Sequence, residues 1–300
     1  MKILVTGANG FLGSHLCSML LENGYDFLAT GRGDSCSFQT KHKFDYEKMD
    51  FTDPFAVHDV FEDYEPDVVV HAGAMTRVDL CEQEQWQAYV SNVESTITLL
   101  LNAVTHKCFF IFLSTDFVFD GEKGDYKEED NTNPINFYGK TKEQAEEAVR
   151  EYEFPWAIVR TSLVYGKVTG EKGNILSVVK QKLESGETYG LVNDQVRTPT
   201  HVEDLAKGIM LIIEKKAGGI FHISGKDILT PYEMACKTAD HLNSPTILIK
   251  ELNALNFTQP AKRPLKTNLV IEKARKILGY EPCSFEEGLS RTFGSELDKR

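Results

Sequence analysis

Long apolar runs are missing from this 300-residue chain. No segment reaches the ~18 consecutive apolar residues that a membrane-spanning helix needs, so no membrane association is expected. Nor does MKILVTGANG begin with a basic stretch leading into an apolar signal core. It runs straight into a strand-like segment, and a cytoplasmic location is expected. Positive charge is in deficit: 33 basic residues stand against 45 acidic ones, a formal charge of −12. That balance excludes a general nucleic-acid or membrane-surface binder, while local basic spots would still hold one anionic ligand. The six cysteines, Cys17, Cys36, Cys81, Cys108, Cys236 and Cys283, include no Cys-x-x-Cys pair and have no histidine at ligand spacing. The eight histidines form no His-x-x-x-His pair. Reduced thiols and no metal centre are expected. There is no internal repeat, low-complexity segment or long flexible linker.

What remains is an ordinary globular mixture, 41% hydrophobic and 26% charged. A chain of this length buries roughly three quarters of its unfolded surface, in one large domain or two smaller ones. Strand-like runs fall at 2–6, 26–30, 46–50, 67–72, 108–114 and 156–161. Helical patterns fall between them at 11–22, 54–63, 82–105 and 138–152. Apolar strands alternating with helices predict a parallel sheet covered on both faces, and right-handed crossovers make it doubly wound. After Tyr165-Gly166 the rhythm changes. A loop at 167–174 leads to helices at 175–185, 203–214, 231–242 and 270–278 and a short strand at 219–224. Pro264 and Pro282 break the rest. The fold class is therefore α/β, a doubly wound parallel sheet of Rossmann type with a smaller C-terminal α/β substrate-binding cap. The expected division is 1–162, with 196–220 returning to it, against 163–195 and 221–300.

Gly7, Gly10 and Gly13 follow the first strand and open the first helix. The first allows a tight turn, the second a close backbone approach and the third tight helix–strand packing. The helix start at Phe11, Leu12 and Gly13 offers free N–H groups and a positive dipole end to a pyrophosphate. At the end of the second strand the carboxylate that would accept from a ribose 2′-hydroxyl is absent until Asp34. Arg32 stands there instead, and a guanidinium would hold a 2′-phosphate bidentately. NADPH is thus the preferred cofactor, with NAD the alternative. Asp50 and Phe51 would meet the adenine edge. Ala72, Gly73 and Ala74 are small enough to let a dinucleotide pass close.

Tyr138 and Lys142 are four apart where a helix begins, so they share a face. A free phenol ionises near pH 10, and a neighbouring ammonium would lower that value. Such a tyrosine would exchange a proton with a substrate oxygen while a nicotinamide exchanges a hydride. Thr115, at the C-terminal end of the fifth strand, would bond the same oxygen, since ligands of such sheets bind beyond the strand carboxyl ends. Lys140 reads as surface.

The ordered blocks TGANGFLG, HAGA, Asn92, STDFVFDG, YGKTK, RTSLVYG and RTPTHVEDLA resemble the extended short-chain dehydrogenase/reductases over nearly the whole chain. The middle block is most similar to the dTDP-4-dehydrorhamnose reductase branch. The resemblance implies Thr115, Tyr138 and Lys142 as catalytic triad, Asn92 as support for the lysine region, and Lys142 as a holder of the nicotinamide ribose. It also implies a nucleotide-sugar substrate, contacted by Thr76, Phe117, Leu163 and Arg197. Related 4,6-dehydratases carry Asp-Glu after the threonine. This chain has Asp116-Phe117, an incomplete pair for eliminating water. The reductase branch tends to have tryptophan at the position of Leu163 and a small residue at that of Arg197. Arg197 would grip a diphosphate, or else pair with Glu203 or Asp204. The RTPTHVEDLA segment also resembles the regulatory beta subunit of methionine adenosyltransferase. Three functions therefore follow from the resemblance: a sugar-nucleotide reductase acting on a 4-keto-6-deoxy sugar, a nucleotide-sugar epimerase, and a non-catalytic NADP-binding regulatory subunit. A homodimer is the expected assembly.

Overall fold

The computed structural model describes residues 1–34, 36, 44–168, 173–253 and 259–294. The middle of the expected loop at 167–174, and residues 254–258 and 295–300 of the expected cap, lie outside the described residues.

The strands are β1 (Lys2–Thr6), β2 (Asp26–Gly31), β3 (Asp45–Lys48), β4 (Val68–His71), β5 (Phe109–Thr115), β6 (Trp156–Thr161), β7 (Val164–Tyr165), β8 (Tyr189–Val192), β9 (Thr200–His201), β10 (Gly219–His222) and β11 (Ile249–Leu252). Seven of them form one sheet in the order β10-β6-β5-β4-β1-β2-β3. Every pairing in it is parallel. Runs such as Val68-Val69-Val70 and Phe109-Phe110-Ile111-Phe112 are buried throughout, as a sheet covered on both faces requires. The chain winds outward in one direction from β1 through β2 to β3 and in the other from β4 to β10. The order therefore reverses between β1 and β4, the place where such sheets bind ligands.

The helices are α1 (Phe11–Glu22), α2 (Pro54–Tyr64), α3 (Val78–Gln83), α4 (Gln85–Tyr89), α5 (Ser95–His106), α6 (Phe137–Arg150), α7 (Ile175–Glu184), α8 (Val202–Lys215), α9 (Pro231–His241), α10 (Glu272–Leu278) and α11 (Phe285–Phe293). Leu16 and Leu20 of α1 join Leu205, Ile209 and Ile212 of α8 in the core on one face of the sheet. On the other face Val57 and Phe61 of α2, Leu99 and Ala103 of α5 and Ala145 and Val149 of α6 form a second core. A third and a fourth cluster sit under α7, α9 and α11 in the C-terminal third. None of the helices among the described residues is long and apolar enough to cross a membrane.

The structure differs from the sequence expectation in three places. The helix expected at 82–105 is α4 and α5 joined by a π-helical turn, Val90–Glu94, which inserts Asn92 into the core. Ile271, Ala274, Leu278 and Tyr280 pack into the α1–α8 core, and β10 reaches His222. More of the C-terminal third thus lies against the sheet than a boundary at 220 anticipates. The short pairs β8–β11 and β7–β9, and helix α11, are additional elements.

Candidate active site

The glycine turn rises from β1 at the point where the strand order reverses. Gly7 has φ +71°, and a Cβ on it would lie 2.7 Å from the Gly73 backbone beyond β4. The turn and the Ala72-Gly73-Ala74 segment are therefore in backbone contact. The ring of Phe51 fills the space over Gly73 and meets His71 edge-on at 5.6 Å. Gly10 is the N-cap of α1 and supplies no capping side chain. The first N–H groups of α1 are thus left for an anion, and these residues fit a pyrophosphate. Leu12 is buried in the core, Phe11 is half-buried with its ring edge on His15, and Gly13 presses on the Gly7 carbonyl.

Arg32 is exposed immediately after β2. The Asp34 carboxylate is held by Lys48 Nζ at 2.6 Å, which also lowers its pKa. Lys48 thus offsets the Asp34 charge. Asp50 Oδ1 accepts from the Thr52 amide and hydroxyl at 3.0 and 2.8 Å, forming a small turn just after β3.

Thr115 ends β5, and its Oγ1 accepts from the Phe117 amide at 3.2 Å. Helix α6 begins beside it. Asn136 caps that helix by accepting from Gly139 N at 2.8 Å, and Glu82 Oε2 accepts from Phe137 N at 2.9 Å. A Cβ on Gly139 would run into the Phe117 carbonyl. The close approach of α6 to the end of β5 thus depends on that glycine, and it brings Tyr138 near enough for the Thr115 side chain to act on the phenol. Phe117 packs edge-on against Tyr138, with ring centroids 6.1 Å apart.

The ionisation of Tyr138 differs from the sequence expectation. Burial raises the phenol above its usual value, the Thr115 side chain opposes the rise, and the Asp116 charge adds to it. Lys142, one turn further along α6, is not among the charges that act on the phenol. Its Nζ sits 3.9 Å above the Phe112 ring. Burial lowers it to about 7, opposed by the charge of Glu146. Burial thus favours the protonated phenol. Asn92 donates to Met75 O at 3.1 Å and to Thr141 Oγ1 at 2.9 Å, and accepts from Met75 N at 2.7 Å. It ties the segment after β4 to α6, next to Lys142.

Arg197 is a correction. It is 3% exposed, and its donors are taken by Pro264 O at 2.7 Å, Leu265 O at 3.1 Å and Val196 O at 2.9 Å. Its Nε lies 3.6 Å from Asp116 Oδ2, not against Glu203 or Asp204. The guanidinium is thus committed to these carbonyls and to Asp116. Asp116 also accepts from Ser162 Oγ at 3.0 Å and from Thr267 Oγ1. Burial raises its pKa, with Arg197 and these hydroxyls opposing. Thr76 is exposed beyond β4. Leu163 has φ +40°, a strained conformation for a branched side chain, and packs at the edge of the C-terminal cluster.

Sequence reasoning missed Glu146, Arg160, Ser114, Ser162 and Thr267. Two signals were available: Glu146 follows Lys142 by one helical turn, and Arg160 interrupts an otherwise apolar strand. His201, Asp204 and Cys283 bring potential ligand atoms within 4.8 Å of one another. The Asp204 oxygens there already accept from Arg291 Nη1 at 3.0 Å and Cys283 N at 2.9 Å.

The chain is similar to methionine adenosyltransferase 2 subunit beta of Bos taurus, 35% identical, covering 100% of this chain and 89% of that protein. It is similar to dTDP-4-dehydrorhamnose reductase of Aggregatibacter actinomycetemcomitans, 29% identical, covering 96% and 97%. The crystal structure of dTDP-4-dehydrorhamnose reductase from Bacillus anthracis in complex with NADP superposes with a TM-score of 0.86 at 29% identity, covering 97% of this chain and 98% of that one. Residues 1–297 match the RmlD substrate binding domain, and the chain belongs to that family.

Proposed function

We propose that the protein is an NAD(P)-dependent sugar-nucleotide reductase acting on a nucleoside-diphosphate-linked 4-keto-6-deoxy sugar. The observation that carries this reading is the placement of Thr115 at the end of β5 and Tyr138 at the start of α6, with Lys142 one turn along, at the strand ends of the sheet that carries the glycine turn of β1. Gly7, Gly10 and Gly13 with Ala72-Gly73-Ala74 would hold the dinucleotide, and Arg32 would favour a 2′-phosphate. The bound dinucleotide would supply a hydride to the ketone carbon. Tyr138 Oη would donate its proton to the ketone oxygen, and Thr115 would orient that oxygen, so hydride plus proton convert ketone to alcohol. Lys142 would hold the ribose. Asp116, paired with Arg197 and followed by Phe117, would act as support and not as an eliminating acid.

The test is dinucleotide oxidation against a panel of nucleotide-linked 4-keto sugars, with Tyr138→Phe as control. Unchanged turnover in that variant would sink the mechanism. A second reading, a cofactor-binding regulatory subunit, is supported by the similarity to methionine adenosyltransferase 2 subunit beta. It predicts tight dinucleotide binding, no turnover with any sugar, and a catalytic partner recovered by pull-down.

A further inference from the structure

Helix α6 carries a second charged group that the reaction above does not use. Glu146 is 0% exposed, one helical turn after Lys142. Its carboxylate accepts from Arg160 Nε at 2.9 Å and Arg160 Nη2 at 2.6 Å, and from Ser114 Oγ at 2.6 Å. Arg150 Nη1 approaches to 3.7 Å. Arg160 is on β6 and is itself 1% exposed, while Ser114 is next to Thr115 on β5. Three elements of the site thus meet at one carboxylate. A buried ion pair of this kind adds little net stability over well-packed apolar residues. The stability of α6 therefore does not explain why charge is kept here.

We propose that Glu146 is a positioning residue whose buried negative charge keeps Lys142 cationic, and that Arg160 and Ser114 fix the carboxylate in that place.

Around Lys142 the other elements offer little to stabilise an ammonium. β4 contributes His71, which burial and the lysine itself keep neutral, near 3. α3 contributes Cys81, whose thiol burial raises to about 11. β5 presents only the Phe112 ring. Glu146 is the carboxylate among the groups that act on Lys142. Both of its oxygens are taken by Arg160 and Ser114, so it acts by charge across one turn and not by contact.

The proposal bears on the site described under the proposed function, but its readout is the ionisation of Lys142 and not turnover. Protein labelled with 13C at lysine Cε would be titrated by NMR, with Lys142→Arg identifying the resonance. The proposal expects the Lys142 transition to fall by roughly one pH unit or more in Glu146→Gln, the size of effect a neighbouring opposite charge exerts. Glu146→Gln leaves Arg160 buried without its partner and will test folding as well as charge. The double variant Glu146→Met, Arg160→Met removes both charges at similar volume. It is expected to fold and to show the same downward shift. A Lys142 transition that stays within about 0.3 pH unit of wild type in the folded double variant would overturn the proposal. So would a double variant that does not fold, because the pair would then be structural. Loss of turnover with an unmoved Lys142 transition would count against Glu146 as a charge-setting residue. Absence of turnover in the wild type would count only against the reductase reading.

Discussion

Thr115 closes β5, and its side chain acts on the phenol of Tyr138 at the start of α6. Burial and the nearby Asp116 charge hold the phenol protonated, and prevail over Thr115, which draws it towards ionisation. The phenol keeps its proton, which is the form a ketone reduction needs at the start of a turn. Thr115→Val keeps the shape and removes the hydroxyl. Its expected effect is a fall in kcat of about 100-fold, the lower end for losing one donor at a developing oxyanion. Dinucleotide affinity, measured by fluorescence titration, should not change. Thr115→Ser should recover most of the rate.

The approach of α6 to β5 rests on Gly139. A Cβ there would also sit 2.8 Å from Pro134 Cβ and 3.1 Å from the Phe117 carbonyl carbon. Gly139→Ala should destabilise the fold by about 1–3 kcal/mol through overpacking. It should also lower kcat more than it weakens dinucleotide binding, because it parts Tyr138 from Thr115. Urea unfolding and steady-state kinetics on the same preparation measure both.

Arg197→Met separates structure from recognition. The guanidinium binds the carbonyls of Pro264 and Leu265 and lies beside Asp116. Its removal leaves a buried carboxylate without its cation, at an expected cost of about 3–5 kcal/mol. The unfolding midpoint should drop sharply. A variant of unchanged stability with only a raised KM would instead make Arg197 a substrate contact.

Acid sensitivity follows from two buried imidazoles. Burial holds His71 near 3, with the Lys142 charge contributing, and holds His222 near 3, with Arg160 contributing. The unfolded chain, with histidines near 6.5, binds more protons than the folded one between about 3 and 6.5. Their neutral burial costs nothing above pH 6.5, and stability is lost as the pH falls below it. The urea midpoint should therefore be lower at pH 5 than at pH 7.5, and His222→Asn should flatten that difference. A midpoint independent of pH over that range would contradict the burial of both rings.

Much of this was legible before any coordinates. The apolar runs of the parallel sheet and the glycine spacing are local signals, and the central sheet follows them within a residue or two. The short strands Tyr189–Val192 and Ile249–Leu252 were not. Each is four residues long, and they pair across a long stretch of chain, so neither has a pattern of its own. Helix α11 had a readable start, Ser284 with Glu287 three residues on, and the observed capping box uses both. Pro282, two residues before Ser284, masks that start. At the site, Tyr138, Lys142 and Thr115 were found because i, i+4 spacing and a strand end are visible in one dimension. The partner of Arg197 was not. Asp116 is remote in sequence and meets it only through the packing of β5 against the segment before β9.

The central claim is tested most directly by following the hydride itself. Protein, a nucleotide-linked 4-keto-6-deoxy sugar and NADPH deuterated at nicotinamide C4 would be mixed in a single turnover, and the product examined by NMR. The account predicts deuterium at the sugar C4 with wild-type protein and a rate lower by about 100-fold or more in Tyr138→Phe. Tight NADPH binding with no deuterium in any sugar tested would contradict it and leave the regulatory reading standing.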